Sequence, residues 1–122
     1  MGKKTSDAVF DAALGHIQAN ATTMIICDAE PADRAEAIAT ALASVSVSSG
    51  DFTLSNGDVS GRKIRVAAKP SEAVDVTGTF NHVCLISATD LLVVSTAGTP
   101  RAVYSGDTVN LPAWDYEIAD PQ

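Results

Sequence analysis

Positive charge is scarce in this chain. Eight Lys and Arg stand against fifteen Asp and Glu among 122 residues, a formal charge of −7. A nucleic-acid backbone is bound by clustered Lys and Arg that displace its counterions, so this balance argues against DNA or RNA as a partner. Aromatic residues are also few: three Phe, two Tyr and one Trp. The apolar fraction of 46% is made largely of Ala and Val, which predicts a core of small and β-branched side chains suited to strands and close helix contacts. Cysteine occurs twice, at Cys27 in "MIICD" and Cys84 in "HVCLIS". If those runs are neighbouring strands the two could pair as a disulfide, but in a chain without a secretory signal buried free thiols are the commoner outcome and the leading expectation. No apolar stretch approaches the length of a membrane span and no hydrophobic signal region precedes the first helix, so the expectation is a protein made in a cytoplasm, with no membrane partner.

Catalytic and metal-binding signatures are absent too. There is no CxxC, no HxxxH, no nucleophile elbow and no Gly-rich phosphate loop between a strand and a helix. His82 and Cys84 have same-face strand spacing, but two ligands are too few for a closed metal site, and a hydrogen-bonded strand histidine is the expectation. Asp51 and Asp58 lack the ordered acidic loop of a calcium site. The expected protein is not an enzyme and takes no cofactor or metal.

What is present describes an architecture. Ser6 reads as an N-cap, followed by Val9, Phe10, Ala13, Leu14 and Ile17 on one stripe at helical spacing. "MGKKTS" matches the N-myristoylation pattern, with Gly2 followed by Ser6, but reads rather as a flexible basic tail before the helix cap. After a short buried strand, "TMIIC", comes "DAEPADRAEAIATALAS". Pro31 at a first helical position and a stripe of Ala35, Ile38, Ala39 and Leu42 predict a second helix lying against a sheet. From Ser44 the period changes to two: Val45 and Val47, then Phe52 and Leu54, then Ile64, Val66 and Ala68 alternate with polar residues. "SNGD" at Ser55 to Asp58 reads as a hairpin turn, with Asn56 and Gly57 suited to positive φ. The segments "AVDVTG", "FNHVCLIS", "LLVVST", "RAVYSG" and "YEIAD" read as further strands. Turns at Lys69-Pro70, Ala88 to Asp90, Gly98 to Pro100 and Gly106-Asp107 separate them. The predicted fold is α+β, mainly β: an antiparallel β-sandwich or barrel preceded by two short N-terminal helices. Residues 1–5 are expected as a tail and 6–122 as a single domain, helical to about residue 43.

Three groups of residues are candidates for binding a partner. Trp114, Tyr116 and Ile118 alternate on one face of a strand whose other face carries Asp115 and Glu117, and Pro112 suits the first residue or the edge of that strand. They close one end of the core or present Trp and Tyr to a partner. The helix stripe Val9, Phe10, Leu14 and Ile17 either packs on the sheet or meets a partner. Arg62, Lys63 and Arg65 form a solvated strand face or a docking patch for an acidic protein.

The stretch "GRKIRVAAKPSEAVDVTGTFNHVCLISATDLLVV", running into "YSGDTVNLPAWDYEIADPQ", resembles small proteins found among the structural genes of tailed bacteriophages. In those proteins a Gly-Arg-Lys strand, a "HV-L" strand, an "LL-V" strand and a closing "G-TVN-PAW--EI-DP" recur. The likeness covers about residues 50–122 and, more weakly, "ICDAEP" at Ile26 to Pro31. It implies a virion protein, made in the host bacterial cytoplasm, that binds the major capsid protein or other virion proteins and self-associates. A capsid decoration (cement) protein leads, with a tail or head-to-tail connector component as the alternative. The family supplies no functional residues. A rival from another class, a small enzyme or ligand-binding domain at the strand ends near His82, Asp90 and Arg101, requires a concave pocket with a convergent polar set.

Overall fold

The computed structural model describes residues 5–58 and 60–118, with the backbone only at 97–99. Met1 to Lys4 of the expected tail, and Ala119 and Asp120 of "YEIAD", lie outside the described residues. The protein is mostly β, 49% strand and 21% helix, with a curled antiparallel sheet.

Helix α1 spans Asp7–Asn20. Phe10, Leu14 and Ile17, spaced four and three residues apart, fall on one face and are buried. Ser6 is extended and its carbonyl accepts from the Val9 and Phe10 amides, but its side chain makes no cap hydrogen bond. Val9, placed on the stripe by sequence, is 58% exposed. Strand β1, Thr23–Cys27, is buried on both faces and forms the interior of a sheet.

The second predicted helix is reduced to one short piece, α2, at Arg34–Ala39. Asp33 caps it, its Oδ1 accepting from the Glu36 amide at 2.8 Å, and only Ala37 is buried. Ala35, Ile38 and Ala39 of the predicted stripe are exposed. Leu42 is buried, but on a strand: β2, Ala41–Ser46, begins almost at once and pairs antiparallel with β1, Met24 opposite Val45 and Ile26 opposite Ala43. Alanine's helix preference, a few tenths of a kcal/mol per residue, loses to the ladder that β1 needs on this side and to the burial of Leu42, Ala43 and Val45.

A 3₁₀ turn at Ser49–Asp51 leads into β3, Phe52–Asn56, which pairs with β4, Arg62–Val66. The hairpin exists where sequence places it, but β3 continues through Asn56, β4 begins at Arg62, and the positive φ belongs to Gly61, at 71°. Gly57 is required for space instead, because a Cβ there would stand 2.0 Å from the Ser60 carbonyl oxygen. Strand β5 lies at Lys69–Ala73, where a turn was expected, and most of "AVDVTG" lies outside any strand. Ser71 adopts φ 55° at a register shift between Lys69 and Glu72, and its amide donates to Asn110 Oδ1 at 2.8 Å.

Strand β6, Gly78–Ile86, pairs with β1 on one side and on the other with β7, Leu91–Val103. The expected turn at Gly98 to Pro100 is a bulge inside β7: Phe80 faces Arg101 but His82 faces Thr96, so β7 carries three extra residues there. After the turn at Gly106, φ 91°, come β8, Thr108–Leu111, and β9, Trp114–Ile118.

The strands form a four-stranded sheet β2-β1-β6-β7, a three-stranded sheet β3-β4-β9 and a β5-β8 pair. One core joins them. Met24, Ile26, Val83, Leu85 and Val93 of the first sheet meet Phe52, Ile64 and Val66 of the second, with Leu14 and Ile17 of α1 and Val109 and Leu111 of β8. A smaller cluster, Ile25, Cys27, Cys84 and Ile86, occupies the other face of the first sheet under Ala37 of α2.

Candidate functional site

Two of the sheet edges border one recess. In the first sheet β7 is the last strand, and in the second β9 is the last strand, so among the described residues each has one side without a partner strand. Between them lies a cleft of about 620 Å³, within the range of ligand and peptide sites. Its apolar lining comes from Met24 of β1, Phe80 and Val83 of β6, and the Leu111–Pro112 link into β9. Trp114 forms one wall, and its Nε1 donates to the Met24 sulfur at 3.3 Å. Ser95, Thr96 and Arg101 of β7 form the other wall. The β7 bulge resets the register so that Arg101 stands opposite Phe80, its guanidinium carbon 6.0 Å from the ring centroid. Arg101 Nη2 also donates to the Asn110 carbonyl at 2.6 Å, tying β7 to the end of β8.

The predicted partner-binding residues fall in three places. Trp114, Tyr116 and Ile118 share the inner face of β9, opposite Val66, Ile64 and Arg62, and all three are half-buried against the core. Trp114 thus both closes the end of the core and borders the cleft. Phe10, Leu14 and Ile17 are buried within this chain, which leaves Val9 and Ala13 as the exposed apolar members of the helix stripe.

The basic group is held by carboxylates of its own chain. Arg62 Nε donates to Asp11 of α1 at 2.8 Å. Lys63 reaches Asp58 at 2.6 Å and Asp115 at 3.3 Å, and Arg65 Nε reaches Asp115 at 3.0 Å. The Asp58 carboxylate, then that of Asp115, holds the Lys63 ammonium above its ordinary value. This face is a cross-strand ladder in which each charge already has its opposite.

The residues of the rival site do not converge. Arg101 lines the cleft, Asp90 sits with Asp33 and Arg34 in a shallow recess beside α2, and His82 lies opposite Cys27 on β1. The expected hydrogen-bonded histidine is not found: His82 Nδ1 is buried with no hydrogen-bond partner among the described residues. The nearby thiols are free and fully buried, and the hydrogen bond to Cys27 together with burial pushes the Cys84 thiol well above its usual value. Asp51 is bound to Lys69 at 2.9 Å and Asp58 to Lys63, so both acids singled out for calcium are already paired. Among the described residues no group of three or more His, Cys, Asp or Glu stands close enough to hold a metal ion.

Met24, Phe80 and Leu111 lie in separate segments of the chain, and nothing in their local spacing brings them to one cleft. The readable signal was Gly98-Thr99-Pro100 inside an apolar run, which marks a bulge as well as it marks a turn. Comparison of the chain with protein-family models, curated proteins and solved structures finds no match.

Proposed function

We propose that this protein is a structural binding module of a tailed-phage particle, a decoration (cement) protein that binds the major capsid protein and stabilises the capsid lattice. We read its sheets as the layers of a β-sandwich. The observation that carries the proposal is the cleft between two unpaired strand edges, with the single tryptophan as one wall. Unpaired edges accept an added strand, and a Trp lining an apolar recess is the kind of residue on which interface energy concentrates. The phrase "PAW" within the stretch that resembles phage structural proteins contributes Pro112 and Trp114 to this cleft. A decoration protein adds stability because it binds the assembled lattice and not the dispersed subunits, and small interfaces repeated by symmetry sum to a large effect.

The test is co-sedimentation of the purified protein with phage heads that lack it, with saturation read per major capsid subunit. Loading in hundreds of copies with raised thermal resistance of the heads, reduced by Trp114→Ala, is the expected result. Loading of a dozen copies or fewer, or binding to tails and not to heads, removes the cement role and moves the protein to the connector or tail.

A further inference from the structure

Six basic side chains lie within the described residues, and four of them are paired with carboxylates of the same chain: Arg62, Lys63, Arg65 and Lys69. Arg34 and Arg101 form no ion pair among the described residues. Arg34 already sits among acids, beside Asp33 and Asp90, with its Nε on the Ser87 carbonyl at 2.8 Å. Arg101 is different. It lines an apolar cleft, and its Nε and Nη1 donate to no described group. The carboxylate on that cleft's wall, Asp115, is taken up by Lys63 and Arg65. The cleft therefore combines an apolar floor, one uncompensated guanidinium and two strand edges with free backbone groups.

We infer that the occupant of this cleft is an extended acidic segment of a partner protein, which adds as a strand along β7 or β9, seats apolar side chains against Trp114 and Phe80, and places an Asp or Glu carboxylate on Arg101. The inference rests on the binding-module reading and names the chemistry of its partner. The free edges call for an extended backbone, because a strand satisfies their N–H and C=O groups and a helix does not. Arg101 calls for a carboxylate, whose two oxygens match the guanidinium donors left over from Asn110. With a net charge of −7 the protein repels an acidic partner at long range, so Arg101 acts after contact, by selecting the register of the bound segment.

Trp114 is the only tryptophan, so its fluorescence reports the cleft directly. The probes are three blocked pentapeptides, acetyl-SVTVE-amide and its counterparts ending in Gln and Lys, titrated against the wild-type protein and Arg101→Gln. The expected result is a saturable change with the Glu peptide, binding of the Gln peptide weaker by roughly tenfold, and no binding of the Lys peptide. In Arg101→Gln the Glu and Gln peptides should bind alike, while Arg101→Lys keeps a preference for Glu and all variants still unfold cooperatively in urea. Equal binding of the three peptides to the wild type, or no response to any of them at millimolar concentration, overturns the inference. A response to decanoate without one to the peptides overturns it in favour of a small amphiphile. If Arg101→Gln still loads onto heads at the wild-type stoichiometry, the selective role of Arg101 falls and the binding module stands. If the peptide preference holds but the protein loads onto neither heads nor tails, the phage reading falls alone.

Discussion

Helix α1 tests the division between packing and exposure most sharply, because neighbouring positions of one predicted stripe have opposite fates. Leu14 has no exposed surface and joins the core shared by the two larger sheets, whereas Val9 is 58% exposed. Leu14→Ala removes a branched side chain from a site closed on all sides and leaves a cavity, which should cost about 3 kcal/mol. With an m-value near 2 kcal/mol/M, the urea midpoint falls by about 1.5 M at unchanged m. An unfolding entropy of about 2.1 cal/mol/K per residue makes the same loss a drop of about 12 °C in Tm for a chain of this length. Val9→Ala should stay within about 0.5 kcal/mol of the wild type. The assay is urea denaturation of both variants followed by far-UV circular dichroism, with calorimetry for Tm. A Leu14→Ala midpoint within 0.3 M of the wild type, or a Val9→Ala loss as large as that of Leu14→Ala, would refute the assignment of this face to the core. Destabilisation of about 3 kcal/mol also bears on the partner question, because it makes Phe10, Leu14 and Ile17 unavailable as a contact surface and leaves only Val9 and Ala13 of the stripe to serve there.

Two further predictions concern ionisable groups. Cys27 and Cys84 are fully buried and free, so the folded protein should not react with an aromatic disulfide reagent, and two thiols should appear per chain in denaturant; rapid native labelling of either would contradict the packing under α2. Asp51 is held below the usual carboxylate range by its hydrogen bond to Lys69 and then by the Ser48 amide. A depressed folded value means that the stabilisation is present above the unfolded value of about 4 and is lost as pH falls through the folded value. Asp51→Asn should therefore be less stable than the wild type by about 1 kcal/mol at pH 7, and the gap should narrow as pH falls below the unfolded value. A gap that stays constant across urea midpoints at pH 7, 4 and 2.5 would assign the effect to something other than the charge.

Much of the fold was legible where one local pattern and one burial demand agree. The Phe10, Leu14 and Ile17 spacing, the alternation through Val45 and Val47, and the Ile64/Val66 and Trp114/Tyr116/Ile118 alternations each state which side chains must leave water; the described chain buries these, except that the β9 trio is half-buried against the core. The acidic balance and the missing catalytic and metal signatures were readable in the same way, since they depend on residue types and not on contacts.

Other features depended on groups distant in sequence. "ALAS" at 41–44 carries helix propensity, yet becomes part of β2 because β1 offers a ladder and the core takes Leu42. Whether Gly57 or Gly61 takes positive φ depended on where the chain closes after β3. Arg62, Lys63 and Arg65 read as a basic patch until α1 and β9 bring Asp11 and Asp115 against them. The cleft is the furthest from local reading: it exists because two sheets end at β7 and β9 on one side and a bulge turns Arg101 toward it. Sequence by itself determined which segments alternate and which faces are apolar, because these follow from periods of two and 3.6 residues. Tertiary structure decided which charges remain uncompensated and where strand edges are left open, because both are properties of neighbours that the chain acquires only when it closes on itself.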